Sequence, residues 1–287
     1  MQTPSATILD CRGRGLDLSR TVIMGILNVT PDSFSDGGVF LSAPAAVAHA
    51  RQMVEEGADI IDIGGESTRP GAQAVPVQQE LDRVIPVIEA VAAELSVPIS
   101  IDTSKPEVMR AAVAAGAGLV NDVQALRANG ALQAVCDLQV PVCLMHMQGE
   151  PRTMQANPVY GEVVTEVRDF LRTRMDACVA AGIARERLLV DPGFGFGKSA
   201  QHNLELLRRL PEFQELGAPI LAGLSRKSMI GALLGLPVEE RLPASLALAL
   251  IAVQNGASIV RVHDVRATRD AVRMLEAVYP QMQERRT

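Results

Sequence analysis

The amino-acid sequence predicts an α/β protein that folds as a single (β/α)₈ TIM barrel with a short N-terminal β-hairpin. Eight short apolar runs with the length of buried strands recur along the chain, and helical patterns separate them. A Gly-Ala pair precedes three of these runs, as expected where a helix ends and a strand begins. No Gly/Ser-rich linker divides the 287 residues. A doubly wound open sheet is the alternative, but it usually has a glycine-rich phosphate loop after its first strand, where this chain has Asn28-Val29-Thr30.

The elements follow in order from the N-terminus. Residues 1–20 predict a hairpin extension with strands at Ile8-Leu9 and Leu16–Leu18 around Arg12–Gly15. Residues 21–287 form the predicted barrel. Its eight strand-like runs are Val22–Leu27, Ile60–Ile63, Ile99–Ile101, Leu119–Val120, Val140–Met145, Leu188–Val190, Pro219–Ala222 and Ile259–Val262.

Helical spacing is best defined from Leu81 to Leu95, where apolar residues recur at i, i+3, i+4 and i+7. Pro86 within this pattern is expected to kink the helix or limit its first turn. Ser104-Lys105-Pro106-Glu107 fits a capping box at the start of another helix, and Asp264 can cap the helix that follows His263.

Composition excludes several classes of protein. The chain is 48% hydrophobic and 21% charged, so it can bury a sizeable core. A net charge of −6 gives no general reason to expect nucleic acid or an anionic membrane surface as partner. No apolar run approaches the ~20 residues that span a bilayer, and the N-terminus has no signal-peptide pattern. We therefore expect a cytoplasmic protein with no membrane partner.

The cysteines and histidines show no metal-binding spacing. Cys11, Cys136, Cys143 and Cys178 are scattered without a C-x-x-C pair, so buried free thiols are expected. No cluster of His, Cys and Asp has the spacing of a zinc site. His146-Met147 is interpreted as packing and loop support.

Polar residues stand at the end of nearly every predicted strand. Because the carboxyl ends of barrel strands meet on one face, where barrel enzymes have their active sites, these residues predict a site there. They are Asn28, Glu66, Asp102, Asn121-Asp122, His146, Asp191, Ser225-Arg226-Lys227 and Arg261-Val262-His263-Asp264.

Two of these exits have the composition of an anion site. The loop Gly64–Gly71 offers backbone N–H groups, the Thr68 hydroxyl and the Arg69 guanidinium. Arg261 and His263 leave the last strand near the N-terminus of a helix, where backbone amides and the helix dipole favour negative charge. Together these groups predict a phosphate or diphosphate site.

The loop Asp191–Lys198, DPGFGFGK, ends like a nucleotide P-loop but is not one. The first glycine that such a loop requires falls on Pro192. Its glycines are better explained if the backbone passes close to a flat ligand, with Phe194 or Phe196 against it. The alternative is that either phenylalanine belongs to the core.

Hydrogen-bonding side chains at four strand exits predict a ligand with both donors and acceptors. Asp102, Asn121 and Asp191 accept, and Lys227 donates, which suits a heterocycle such as a pterin or a purine. A metal, if one takes part, would be Mg²⁺ held by the oxygen of Asn28 and by the phosphates of the substrate.

At these residues the chain resembles the dihydropteroate synthase family. The resemblance runs from about Thr21 to Tyr279, and its first motif is highly specific. The matching motifs are Met24–Gly38, Gly64–Gly71, Asp102–Pro106, Asn121-Asp122, Met145–Met147, Asp191–Lys198, Ser225–Ser228 and Arg261–Asp264.

The resemblance implies condensation of (7,8-dihydropterin-6-yl)methyl diphosphate with 4-aminobenzoate, giving 7,8-dihydropteroate and diphosphate in folate biosynthesis. It assigns Asp102, Lys227, Arg261 and His263 to catalysis, and Asp102, Asn121, Met145, Asp191 and Lys227 to the pterin. It assigns Asn28, Thr68, Arg69, Arg261 and His263 to the diphosphate, with Asn28 also on Mg²⁺. It assigns Phe34, Pro70, Phe196 and Ser228 to 4-aminobenzoate, in the subsite that sulfonamides are expected to occupy.

The resemblance also bears on partners and on competing functions. The helix Ser245–Val253 is apolar on all sides, which deep burial explains, although the resemblance favours a homodimer contact. A methyltetrahydrofolate-dependent methyltransferase would also hold a pterin in a barrel, but it has no use for a diphosphate site. A non-catalytic pterin-binding paralogue should have degraded loops, and both loops are intact here.

Overall fold

Eight parallel strands close into a barrel in the computed structural model, which describes residues 8–29, 43–68, 71–149, 153–155 and 158–280. The strands are β3 (Val22–Asn28), β4 (Ile60–Gly64), β5 (Ile99–Asp102), β6 (Leu119–Asp122), β7 (Val142–Met145), β8 (Leu188–Asp191), β9 (Ile220–Ala222) and β10 (Ala257–Val262). Their order around the barrel is β10-β3-β4-β5-β6-β7-β8-β9, so the sheet has no edges and the open-sheet alternative is wrong. The predicted fold is confirmed.

Helices cover the outside of the barrel and return the chain from the end of one strand to the start of the next. They are α1 (Ala43–Glu55), α2 (Val77–Glu94), α3 (Pro106–Ala115), α4 (Ala131–Leu138), α5 (Val163–Ala180), α6 (Ala200–Arg208), α7 (Ser228–Leu234), α8 (Leu242–Gln254) and α9 (Val265–Val278). Short 3₁₀ helices lie at Arg185–Arg187, Leu210–Leu216 and Val238–Glu240. Across the described ranges, none of the helices has the length and apolarity needed to cross a membrane.

Helix boundaries correct three local expectations. Helix α2 already begins at Val77, well before Pro86, so the proline does not limit its first turn. Lys105 rather than Ser104 stands at the N-cap of α3, and no side chain caps that helix, because the Ser104 hydroxyl donates to Asp122 instead. Asp264 is the N-cap residue of α9, but its carboxylate makes no capping hydrogen bond.

An antiparallel hairpin precedes the barrel. Its strands are β1 (Ile8–Cys11) and β2 (Arg14–Asp17), longer than the sequence predicted, and only Arg12 and Gly13 form the turn. Both turn residues are left-handed, with φ of 57° and 83°, as two-residue hairpin turns require.

The hairpin closes the amino-terminal end of the barrel. Its inward side chains pack on an apolar layer inside the barrel formed by the first residues of the strands. Gly118 lets the hairpin approach, because a Cβ there would lie 2.4 Å from the carbonyl oxygen of Cys11. The hairpin residues are Leu9, Cys11, Leu16 and Leu18, and the barrel residues are Val22, Met24, Ile60, Leu119, Cys143, Leu189, Leu221 and Ile259.

The thiols largely follow the prediction. Cys11, Cys143 and Cys178 are buried and unpaired. Burial raises the pKa of Cys11 to about 12 and that of Cys178 to about 11, so neither is a ready nucleophile. Cys136 is only half-buried, and its Sγ donates to the carbonyl of Ala181 at 2.9 Å.

Candidate active site

A polar layer lies inside the barrel above the apolar layer. Successive residues of a strand face opposite sides, so the side chain two positions beyond an apolar interior residue also points inward. Ile60 is followed in this way by Asp62, Leu119 by Asn121, Leu189 by Asp191 and Ile259 by Arg261. The strand period thus places the candidate site directly on top of the closed end.

Arg261 lies at the centre of this layer between two carboxylates. Its Nε donates to Asp62 Oδ2 at 2.6 Å, and its other guanidinium nitrogen donates to Asp102 Oδ2 at 2.8 Å. Asn121 donates to the same oxygen of Asp62 at 3.3 Å. The sequence placed Arg261 near a helix N-terminus, whereas the structure turns its guanidinium into the barrel because Arg261 is an inward residue of β10.

Burial sets the protonation of Asp102. Loss of hydration raises the pKa of the Asp102 carboxyl to about 7, an effect that the Arg261 guanidinium opposes and that the nearby carboxylates of Asp62 and Asp122 reinforce. Asp102 therefore changes charge near neutral pH. A carboxyl with a pKa near the working pH is well suited to act on a substrate whose charge changes during reaction.

Asp191 and Lys227 form the other side of the layer. Asp191 Oδ1 accepts from the backbone N–H of Gly193 at 2.7 Å, and burial raises the pKa of this carboxyl. Burial lowers the pKa of the Lys227 ammonium to about 8, although Asp191 opposes the shift. Lys227 Nζ lies 4.3 Å from the centre of the Phe196 ring, a cation–π distance.

Two contacts join the carboxyl ends of β9 and β10. Ser225 Oγ lies 3.0 Å from His263 Nδ1 and accepts from the His263 backbone N–H at 3.3 Å. Next to it, Arg226 holds Asp264 with two hydrogen bonds of 2.9 and 2.5 Å. Arg226 is left-handed, with φ of 55°, a strained geometry for a side chain of this size and one that clusters at functional sites. Burial lowers the pKa of His263 to about 4, so the ring is neutral at pH 7.

The two phenylalanines of the glycine-rich loop after β8 lie in different environments. Phe194 is 1% exposed and belongs to the core. Phe196 is only partly buried and packs on a small cluster at the mouth of the barrel that contains Met145 and Met147. Of the two, Phe196 is therefore the candidate ligand contact.

Other predicted residues lie around the same mouth. Asn28 ends β3 and pairs in register with Gly64, which pairs with Asp102, which pairs with Asn121. Thr68 lines a cavity of about 690 Å³ that Asp102 also lines. Ser228 is the first residue of α7 and is exposed. Phe34, Arg69 and Pro70 lie outside the described residues.

The sequence reasoning missed Asp62. This residue is fully buried, and its Oδ1 has no hydrogen-bond partner among the described residues. Asp62 lies inside β4, whereas the polar residues that the sequence singled out stand at strand exits. The two-residue period from Ile60 to Gly64 was the signal that could have found it.

The described residues supply few metal ligands, so they fit a metal ion only if the substrate provides most of its ligands. They contain no group of three His, Cys, Asp or Glu side chains arranged to hold an ion. The amide oxygen of Asn28 is a hard ligand at the barrel mouth. Mg²⁺ usually keeps water and binds through one or two side chains plus substrate phosphates, which matches this sparse donor set.

Comparison with known proteins identifies the class. A family model described as "Pterin binding enzyme" matches residues 24–263, which include most of β3 and all of the barrel from β4 to β10. The fold and the polar layer thus belong to a pterin-binding barrel enzyme.

Comparison with individual relatives shows which family of pterin-binding enzymes the chain belongs to. A dihydropteroate synthase of Escherichia coli K12 is 54% identical over 97% of this chain and 99% of its own length. The Xanthomonas albilineans dihydropteroate synthase solved with 4-aminobenzoic acid is 59% identical, with a TM-score of 0.90 over 95% of this chain and 98% of that one. A Yersinia pestis dihydropteroate synthase solved with a sulfonamide drug is 51% identical, with a TM-score of 0.92 over 95% and 99% of the two chains. The chain belongs to the dihydropteroate synthase family of pterin-binding enzymes, and it is a transferase of folate synthesis.

Proposed function

We propose that the polar layer binds (7,8-dihydropterin-6-yl)methyl diphosphate and 4-aminobenzoate and joins them into 7,8-dihydropteroate. One observation carries this proposal. A buried set of acceptors and cations, with Arg261 bound to Asp62 and Asp102, lies inside the barrel at the end where barrel enzymes have their sites. The methyltransferase alternative gives no reason for cations at this position, and the relatives named above favour the synthase.

The pterin is held through its hydrogen-bonding edge. The carboxylates of Asp102 and Asp191 accept from N–H groups of the pterin, the Asn121 amide can accept or donate, and Lys227 donates to a ring acceptor. Met145 packs beside the ring, in the cluster that also contains Phe196. Burial of these groups favours a ligand that satisfies them, because unpaired buried polar groups are costly.

Arg261 and His263 face the leaving diphosphate. A guanidinium has five N–H donors, and the two carboxylates take only part of them, so the rest can point at an anion. His263 is neutral, and we assign the Ser225 hydroxyl as the donor to its Nδ1, which places the single ring proton on Nε2, where it can donate to an anion. Thr68 and Arg69 would add donors from the loop after β4, the strand whose Gly64 pairs in register with Asn28.

Cleavage of the carbon–oxygen bond at the pterin methylene develops opposite charges on the two products, and the site must stabilise both. The departing diphosphate gains negative charge, which positioned cations stabilise in the transition state. The pterin gains positive charge, which the ionised carboxylate of Asp102 stabilises. The amine of 4-aminobenzoate is weakly basic, so its positioning by Phe34, Pro70, Phe196 and Ser228 matters more than a general base.

Mg²⁺ is the cofactor that we propose. Asn28 would hold it together with the diphosphate oxygens and water. When bound, it supplies positive charge that neutralises the leaving diphosphate. The side chains of this chain would still bind and orient both substrates.

We further propose a cytoplasmic homodimer. Helix α8 buries one face, on which Ser245, Ala249 and Ala252 lie, and leaves Ile251 42% exposed. Exposed apolar side chains also lie on α7 and α9, where Leu234 is 59% and Met274 65% exposed. Exposed apolar side chains of this size are typical of an interface between subunits.

The test is synthesis of dihydropteroate by the purified protein from the two substrates, with and without Mg²⁺, while diphosphate release is followed. Equal amounts of both products that depend on Mg²⁺ are expected. A sulfonamide should compete with 4-aminobenzoate. Tight pterin binding without any product would contradict the proposed reaction and favour the non-catalytic paralogue.

A further inference from the structure

The lysine that ends the glycine-rich loop is deeply buried, yet it takes no part in the reaction proposed above. Lys198 is 2% exposed, and none of the ion pairs among the described residues includes it. Burial lowers the pKa of its ammonium to about 7. An ammonium group buried without a bound carboxylate costs free energy, so the contacts of this group must offset that cost.

Those contacts all lead to the backbone of one loop and to the end of β7. Lys198 Nζ donates to the carbonyl oxygens of Gly193 at 2.9 Å, Phe196 at 3.0 Å and His146 at 3.3 Å. It also lies 2.9 Å from His146 Nδ1. The Gly193 carbonyl additionally accepts from the Phe196 N–H at 3.1 Å, which closes a tight turn. Lys198 therefore holds both ends of the turn against β7.

Other backbone groups of the loop also have hydrogen-bond partners. Asn203, 1% exposed, accepts from the Gly195 N–H at 2.7 Å, and the Tyr160 hydroxyl donates to the Gly197 carbonyl at 2.8 Å. The loop also lies very close to β7, because a Cβ at Gly193 would be 1.9 Å from the His146 carbonyl oxygen. These contacts specify a single loop conformation.

The upper side of the same turn faces the site. Phe196 presents its ring to Lys227 Nζ at 4.3 Å and packs with Met145. Gly195 adjoins the Lys227 stem, since a Cβ there would lie 3.2 Å from Lys227 Cδ. Lys198 donates to the backbone carbonyl of Phe196 itself, so it holds the backbone that carries the ring.

We infer that Lys198 is a positioning residue that acts through Phe196 and sets the affinity for 4-aminobenzoate. The inference depends on the proposed role of Phe196 as a wall of the 4-aminobenzoate subsite. It gives the lysine of the P-loop-like sequence a function: Lys198 binds the loop's own carbonyl groups rather than a phosphate.

The test compares Lys198→Met, Phe196→Ala and the double variant with the parent protein. Met fills similar space without N–H donors, so the loop carbonyls lose their partner. We expect Lys198→Met to raise KM for 4-aminobenzoate roughly tenfold, the loss of one aromatic contact. It should change kcat and KM for the pterin diphosphate by no more than about twofold. In the Phe196→Ala background, Lys198→Met should raise KM for 4-aminobenzoate by less than about twofold.

A purely structural role predicts different results. Ile88→Val, in the buried face of α2, is the control for lost stability and should lower the melting temperature without changing any KM. Equal KM increases from Lys198→Met with and without Phe196 would overturn the inference. If Lys198→Met does not fold, Asn203→Ala releases Gly195 from the same loop and is compared in the same way. If Phe196→Ala leaves KM for 4-aminobenzoate unchanged, the result contradicts the proposed role of Phe196 in the 4-aminobenzoate subsite instead.

Discussion

Asp102 and Lys227 carry opposite charges, and burial at the barrel mouth shifts the pKa of each toward neutrality. The Asp102 carboxyl titrates near pH 7 and the Lys227 ammonium near pH 8, and in each case the largest cause is loss of hydration. Arg261 donates to Asp102, so a change in the charge of the Asp102 carboxyl acts directly on the guanidinium. The pH dependence of activity should therefore reflect the ionisation of Asp102 and Lys227.

We expect kcat/KM for the pterin diphosphate to follow a bell-shaped pH profile with its maximum between about 7 and about 8. As pH falls through about 7, Asp102 gains a proton and can no longer stabilise the cationic pterin. As pH rises through about 8, Lys227 loses its charge. Steady-state rates from pH 5 to 10 measure the profile, and Lys227→Arg should lose the alkaline limb, because an arginine stays charged throughout this range. A flat profile would contradict both roles.

Arg261→Ala should lower turnover by roughly 10²–10³-fold, as expected when a positioned donor to a developing anion is removed. The same change leaves Asp62 and Asp102 close together without a cation, which should also weaken pterin binding. Initial rates of diphosphate release measure the effect. Arg273→Ala, an exposed arginine on α9, is the matched control and should retain full activity. A normal rate in Arg261→Ala would exclude its diphosphate role.

At the scale of elements, the N-terminal hairpin completes the core beneath the site. The hairpin of β1 and β2 fills the amino-terminal end of the barrel and packs on the apolar layer beneath the polar one. Arg14 anchors it by donating to the carbonyl oxygens of Val97 at 2.9 Å and Ala92 at 2.8 Å. A small extension therefore completes the core, because a barrel open at this end would expose that layer to water.

Gly118→Ala should separate the hairpin from the barrel. The added Cβ would lie 2.4 Å from the Cys11 carbonyl oxygen, and neither backbone can move without disturbing its strand. Overpacking of this kind costs about 1–3 kcal/mol of unfolding free energy. Urea denaturation measures it. Gly161→Ala is the control, since its Cβ would meet only a side-chain oxygen at 3.4 Å, and an equally stable Gly118→Ala protein would show that the contact is not tight.

On the scale of the whole molecule, helix α8 leaves apolar side chains exposed on the outside of the barrel. Helix α8 has Pro243, Ala247 and Ile251 on its exposed side, so it is neither a core helix nor an ordinary surface helix. The sequence left deep burial and a subunit contact open for this helix. The exposure of Ile251 argues against complete burial, and a second copy of the chain is the proposed partner.

Ile251→Glu should convert the proposed dimer into a monomer, because the interface would then bury an unpaired carboxylate. Light scattering coupled to size-exclusion chromatography measures the mass. Val179→Glu is the matched control: Val179 is 43% exposed on α5, at a similar exposure but on another helix, and should not change the mass. A monomeric parent protein would refute the dimer.

The sequence by itself determined the barrel and most of its polar exits. Strand runs, helical spacing and Gly-Ala connections are encoded within a few neighbouring residues, so the eight runs and the positions of Asp102, Asn121 and Asp191 could be identified without coordinates. The same local reasoning failed at Ser104, whose hydroxyl has a distant partner in Asp122.

Only the tertiary structure decided which residues meet. Arg261 and Asp62 are 199 positions apart, and their contact depends on barrel closure and on which face of each strand a side chain occupies. The deep burial of Lys198 and the exposure of Ile251 likewise follow from packing between distant elements. Local patterns specify elements because their periods are short, whereas partners and burial depend on the closed barrel as a whole.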